Sequence, residues 1–207
     1  MDDNVGQYDI EYKSCPCFWG TEPGKYVKKA LAYISNGTAI DLGAGEGKNS
    51  IFLAQKGFIV DAIEVSNYAI QNFNDQLALS DDSIKSAVTI YNTDVRTLKS
   101  EKRYDLTVAY GLLHCMQTMD EVRDVVAKIK ILTAEQGFCI IVSFNNRIPL
   151  PDVQSYLEPT LLPEGYLKEE FQNWDILDYE DDIITESHPT SKIEHQHSVT
   201  RMIARKR

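Results

Sequence analysis

The 207-residue chain predicts an α/β fold: a doubly wound, mostly parallel seven-stranded sheet that ends in an antiparallel hairpin. Three observations carry that expectation. Short apolar runs alternate with helix-period segments from residue 38 to residue 144. A glycine-rich turn joins the first apolar run to the helix after it. Two extended stretches, 174–186 and 193–205, then follow each other with no room for a crossover helix, and strands joined so briefly must be antiparallel.

In chain order, residues 1–35 read as an N-terminal lid with a helix over 22–34. Residues 38–42 (TAIDL) form a strand ending in an acid and a leucine, before a helix at 46–56. Residues 58–64 (FIVDAIE) are the second strand, and Ser66 caps a helix over 66–79. Strands follow at 87–92, 105–110 and 137–144. Between the last two, Val122, Val125, Val126, Ile129 and Leu132 mark one face of a helix over 119–132. Four of the seven prolines fall in 147–165, which reads as a loop. The expected organisation is one domain over 1–207, with a cofactor-binding core at 36–146 and a substrate-side loop and hairpin at 147–207.

Composition narrows the function. Hydrophobic residues at 43% and charged residues at 25% fit a globular chain and exclude disordered and collagenous classes. Lys and Arg number 21 against 31 Asp and Glu, a net charge of −10. That balance disfavours nucleic acid, whose phosphates demand a basic face. No apolar run approaches a membrane span, and the opening MDDNVGQYDIEY is unlike a secretory signal, so a soluble, cytoplasmic protein is expected. Cys15-Pro16-Cys17 lacks the second half that a structural zinc site needs. Reduced thiols and no metal are expected, with a small molecule as the partner.

The turn Asp41-Leu42-Gly43-Ala44-Gly45-Glu46-Gly47 ends a strand immediately before a helix, where glycine lets backbone approach a ligand. Glu64, followed by Val65, ends the next strand, where a carboxylate reaches the hydroxyls of a ribose. A dinucleotide loop would read GxGxxG, but its third glycine is replaced by Lys48. Asp41 would also place negative charge beside a pyrophosphate. It suits the cationic S-adenosylmethionine (SAM), which methyl transfer converts to S-adenosylhomocysteine. Asp94 and Val95 follow the third strand, where they can meet an adenine, unless Asp94 only caps the turn. Tyr110 ends the fourth strand near the expected methyl group, or is simply a buried strand-end tyrosine.

With these motifs the chain resembles a class I SAM-dependent methyltransferase. Ala39–Glu64 (AIDLGAGEGKNSIFLAQKGFIVDAIE) is most similar to the tellurite-resistance, TehB-like branch, as are Phe171–Glu180, Thr185–His188 and Arg201–Lys206. The resemblance implies cofactor roles for Asp41, Gly43, Gly45, Lys48, Asn49, Glu64 and Asp94, with Ala44 of the same turn expected beside them, and an active-site role for His188. Tyr12–Pro23 resembles the lid of small-molecule methyltransferases, which implies a substrate-side role for Tyr12 and Trp19, unless Phe18 and Trp19 only pack on the helix at 22–34. Pro189 and Glu194-His195-Gln196-His197 depart from the basic segment of that branch.

Methyl transfer to a small acceptor is an in-line displacement that needs a base only when the nucleophile carries a proton. His114, just past the fourth strand, and His188 and His197 are the candidate catalytic groups, expected to face one another across the acceptor site. His195 and Arg201 share a strand face with His197 and are candidate substrate contacts, or else belong to a solvated hairpin. A metal held by His188, His195 and His197 has no carboxylate spacing to support it. The competing readings are a nicotinamide-dependent oxidoreductase and a SAM-binding but catalytically silent partner protein.

Overall fold

The computed structural model describes residues 8–151, 159–187 and 192–207. Seven strands form one sheet: β1 (Gly37–Leu42), β2 (Phe58–Glu64), β3 (Val88–Asn92), β4 (Tyr104–Tyr110), β5 (Thr133–Phe144), β6 (Asp175–Glu186) and β7 (His195–Arg205). Their spatial order is β3-β2-β1-β4-β5-β7-β6. The first five pair in parallel, while β7 runs antiparallel to both β5 and β6. The expected doubly wound sheet with its terminal hairpin is the observed one. Strand order reverses between β1 and β4, which opens a crevice above their C-terminal ends.

Alternation along the strands divides the core between the two faces. Ala39, Leu106, Val108, Ile140 and Ile203 pack on one side with Tyr26, Leu53, Phe58 and Phe73. That side is covered by α2 (Lys25–Ala30), α3 (Lys48–Gln55) and α4 (Asn67–Ala78). Ile40, Leu42, Ala109, Ile141 and Met202 pack on the other with Val122, Val126, Ile129 and Phe171. There α6 (Met119–Leu132) and α7 (Tyr166–Glu170) lie over the sheet. Both long helices are capped as their sequences require. Ser66 Oγ accepts the N–H of Ala69 at 3.1 Å, and Thr118 Oγ1 that of Glu121 at 3.2 Å.

The structure corrects two element boundaries and adds two short helices. The 22–34 helix contracts to α2, since Pro23-Gly24 delay its start and the chain leaves the helix after Ala30. A short helix, α1 (Asp9–Ser14), lies in the N-terminal segment, and another, α5 (Asp82–Ala87), precedes β3. Strand β5 begins at Thr133, directly out of α6. Its pairing with β4 shifts between Tyr104/Thr133 and Leu106/Phe138, a bulge accommodated by Gln136 at φ +64°. Among the described residues no helix is long and apolar enough to cross a membrane.

Candidate functional site

The crevice at the β1/β4 switch holds a cavity of about 830 Å³, lined by the glycine turn, the ends of β2 and β4, the N-terminal segment and the last strand pair. Its floor is the turn after β1. Gly43, Gly45 and Gly47 all adopt positive φ (69°, 56° and 84°), a region costly for residues with a Cβ. A Cβ on Gly47 would overlap the ring of Phe73 from α4. The N–H groups of Gly43 and Ala44 both donate to Ile63 O, at 2.9 and 3.0 Å, tying the turn to β2.

Glu64 completes that tie. Its Oε2 accepts the Gly45 N–H at 2.8 Å, and its Oε1 accepts those of Val65 and Ser66, each at 2.9 Å. Burial raises its carboxyl above the usual range, and the three N–H donors partly offset this. Glu64 and Val65 line the cavity. Asp41 does not. It lies behind the turn, 1% exposed, where its Oδ2 accepts the hydroxyl of Ser50 at 2.7 Å. Burial pushes its carboxyl up to about 6. The sequence placed Asp41 against the ligand; the structure makes it a brace between β1 and α3.

Asp94 and Val95 reach the wall beyond β3. Asp94 Oδ1 accepts the Arg96 backbone N–H at 2.8 Å, and its Oδ2 accepts from Nη2 and Nε of the Arg96 guanidinium at 2.6 and 2.9 Å, with Oδ1 3.1 Å from Nε. Burial alone would raise the Asp94 carboxyl, but Arg96 outweighs it and holds it low. Asp94 thus shapes the turn and also lines the cavity. Tyr110 ends β4 with its ring packed so closely on Gly24 that a Cβ there would overlap it.

The N-terminal segment roofs the crevice with Tyr8, Tyr12, Trp19 and Gly20. Sequence patterning gives no hint of how firmly it is held. Lys48 Nζ donates to Trp19 O at 2.7 Å, and Asn49 Oδ1 accepts the Gly24 N–H at 2.9 Å. Glu46 Oε1 accepts the Cys17 N–H at 2.7 Å, and Asn72 Nδ2 donates to Tyr12 O at 2.9 Å. The Ser66 hydroxyl donates to Asp9. Lys48 and Asn49 therefore line the cavity and pin its roof at once.

At the far end His114 is buried, and its ring stacks 4.1 Å from that of Phe144. His197 also stacks 4.1 Å from Phe144, nearly parallel. Two parallel rings at that spacing occupy opposite faces, so Phe144 separates the two histidines. The expectation that they face one another across open space is corrected. His114 and Phe144 line the cavity, whereas His195 and His197 lie behind its wall. Burial, with His197 adding to it, drives the His114 imidazole down to about 3. Arg201 lines the cavity and pairs with Glu180 and Asp182, each at 3.3 Å. His188 lies outside the described residues. Phe144, Glu186, Glu46 and Arg96 also line the cavity and were missed from sequence. Of these only Glu46, inside the glycine turn, carried any signal there.

Comparison with known proteins agrees with this architecture. The model of the family described as "Tellurite resistance protein TehB" matches residues 19–198. The Haemophilus influenzae protein named "Probable S-adenosyl-L-methionine-dependent methyltransferase TehB" is 24% identical over 159 residues, 76% of this chain and 52% of that protein. The chain thus spans about half the length of the curated relatives it matches. The crystal structure of H. influenzae TehB superposes with a TM-score of 0.78 at 21% identity, over 97% of this chain and 67% of that one. The N-methyltransferase NodS from Bradyrhizobium japonicum, in complex with S-adenosylhomocysteine, gives 0.67 at 11% identity over 99% and 89%. On its sequence, and with a fold that agrees, this chain belongs to the TehB family.

Proposed function

We propose that the chain is a SAM-dependent methyltransferase that transfers a methyl group to a small-molecule acceptor. The observation that carries this reading is how the glycine turn spends its donors. The N–H groups of Gly43, Ala44, Gly45 and Gly47 are all engaged, by Ile63, Glu64 and Ala44 oxygens. A pyrophosphate is held by such N–H groups at a helix start, so a nicotinamide dinucleotide finds no cradle here. A cationic, phosphate-free nucleoside asks the opposite. Glu64 offers its carboxylate on the cavity wall, and Glu46 Oε2 is buried with no hydrogen-bond partner among the described residues. The volume suits a nucleoside with an amino-acid tail and a small acceptor.

When bound, SAM supplies a methyl group already activated on a sulfonium. The residues of the chain position and enclose. Glu64 and Asp94 would hold the ribose and adenine ends, with Val65 and Val95 beside them. Tyr12 and Trp19 keep water from the reacting end. The neutral His114, near 3, accepts hydrogen bonds but has little driving force to take a proton at neutral pH. The favoured acceptors are accordingly those that are nucleophilic without a base: a thiolate or reduced chalcogen, a carboxylate or a free amine. Lys48 and Arg201 supply positive charge on the cavity wall for an anionic one.

Calorimetry with SAM, S-adenosylhomocysteine and NAD tests the cofactor, and mass analysis after incubation with labelled SAM and a metabolite extract tests the transfer. Binding of the first two ligands and a methylated product are expected. Heat from NAD alone would remove the reading. SAM binding with no product from any extract would leave a silent binding protein.

A further inference from the structure

The last strand pair brings together three donor atoms that no sequence spacing relates. In the antiparallel register Glu186 stands opposite His195, and Ile184 opposite His197. His195 and His197, two apart on one strand, share a face, and a cross-strand residue with its diagonal neighbour lies within side-chain reach. Glu186 Oε1 lies 3.5 Å from His197 Nε2 and 3.9 Å from His195 Nε2. One donor atom from each of the three falls within 4.8 Å of the others.

The two imidazoles are set for this arrangement. His195 Nδ1 lies 2.9 Å from the carbonyl oxygen of Ile193. A carbonyl only accepts, so Nδ1 carries a proton and Nε2 is the ring nitrogen turned toward Glu186. A second hydrogen bond of this kind is how metal-binding histidines are oriented. His197 is held by its stack on Phe144, which fixes the ring plane. Both side chains are nearly fully buried, at 3% and 2%, while Glu186 is 30% exposed and lines the cavity.

We propose that Glu186, His195 and His197 form a binding site for a divalent transition-metal ion of the Zn²⁺ class. Zn–N bonds of about 2.0–2.1 Å place tetrahedral donors about 3.3 Å apart, so small side-chain adjustments close the site. Two imidazoles with one carboxylate favour Zn²⁺, Ni²⁺ or Co²⁺ over Mg²⁺ and Ca²⁺, which take oxygen ligands. Three protein ligands leave a coordination position for water or a soft anionic donor such as a thiolate. Glu186 is the member that carries the site to the cavity wall. The site is independent of whether the cavity takes SAM.

The test uses untagged full chain, stripped with EDTA and titrated with Zn²⁺ alone against a chromophoric chelator. Co²⁺ titration then reads coordination from its visible absorption. One equivalent of Zn²⁺ bound in the micromolar range or tighter is expected, with the absorption of low-coordinate Co²⁺. Glu186→Gln and His197→Asn should each weaken binding by about tenfold or more. A Cys15→Ser/Cys17→Ser double variant should leave it unchanged. Because His197 is buried, its variant is read beside its melting temperature; Glu186→Gln, at a partly exposed strand end, decides without that concern. No stoichiometric site, a site that survives Glu186→Gln, or a site lost with the cysteine pair would each overturn the proposal.

Discussion

Glu64 accepts the backbone N–H of Gly45 at 2.8 Å, which makes the acid ending β2 and the glycine turn ending β1 one hydrogen-bonded unit. A change at Glu64 therefore reaches the ligand and the shape of the turn together. Glu64→Ala strands three N–H donors and removes the carboxylate from the wall. SAM affinity should fall by about 1.5–3 kcal/mol, and the melting temperature should drop as well. Glu64→Gln, which keeps the volume and one acceptor, should fall between. Calorimetry beside thermal melts reads both effects; unchanged affinity in a folded Ala variant would separate Glu64 from the ligand.

Asp41 predicts a gain in stability. Its carboxyl is raised to about 6 in the fold from 3.8. The native state holds the proton more tightly, so stability is lost as pH rises from about 4 through 6 and stays lower above. Asp41→Asn keeps an acceptor for Ser50 and removes the buried charge. It should be more stable than wild type at pH 7–8, by up to about 3 kcal/mol, with the gap closing toward pH 4. Urea unfolding at both pH values checks this, and SAM affinity should suffer less than in Glu64→Ala.

His114 predicts the opposite slope. Its imidazole is lowered to about 3 from 6.5, so the unfolded chain takes up a proton in acid that the native chain refuses. Stability from this site is complete above about 6.5 and drains away as pH falls toward 3. Between pH 7 and pH 5, wild type should lose about 2 kcal/mol relative to His114→Gln. Parallel denaturation curves at the two pH values would show no protonation penalty at His114.

The roof is the fourth case. Asn49→Ala removes the acceptor for Gly24 N–H, and Lys48→Ala releases Trp19 O. Each should cost about 1 kcal/mol of local stability. Hydrogen exchange should then quicken across residues 8–24 while β1 and β4 stay protected, and SAM should dissociate faster. Exchange that rises evenly over the sheet would mean that the pins support the whole fold rather than the roof.

The sheet's strands, its terminal hairpin and the cavity's floor were legible because each rests on local pattern. Short apolar runs, the Ser66 cap and the glycines before α3 are all consecutive in the chain. The α1 helix was missed because six residues are too few to show a period. The burial of Asp41 was missed because its partner Ser50 is set by how α3 docks on β1. Phe144 ends an apolar strand and looks like any core residue; only folding slides its ring between histidines 114 and 197. Glu186 meets His195 and His197 through a cross-strand register. A hairpin's register is fixed by pairing geometry, which a single sequence does not display.

Strand β6 is twelve residues long and forms one margin of the sheet, with β7 on one side of it and no further strand on the other among the described residues. An unpaired row of N–H and C=O groups of that length invites a second chain to polymerise onto it. Asp175, Asp178, Glu180, Asp181, Asp182 and Glu186 stud this strand. Lys25, Lys29, Arg201, Arg205 and Arg207 answer several of them from within the molecule. A second copy approaching edge to edge through β6 brings a like-charged margin against this one, which disfavours that pairing. Discharging those carboxylates in acid leaves the backbone row intact and removes its guard, turning a boundary into a template for aggregation.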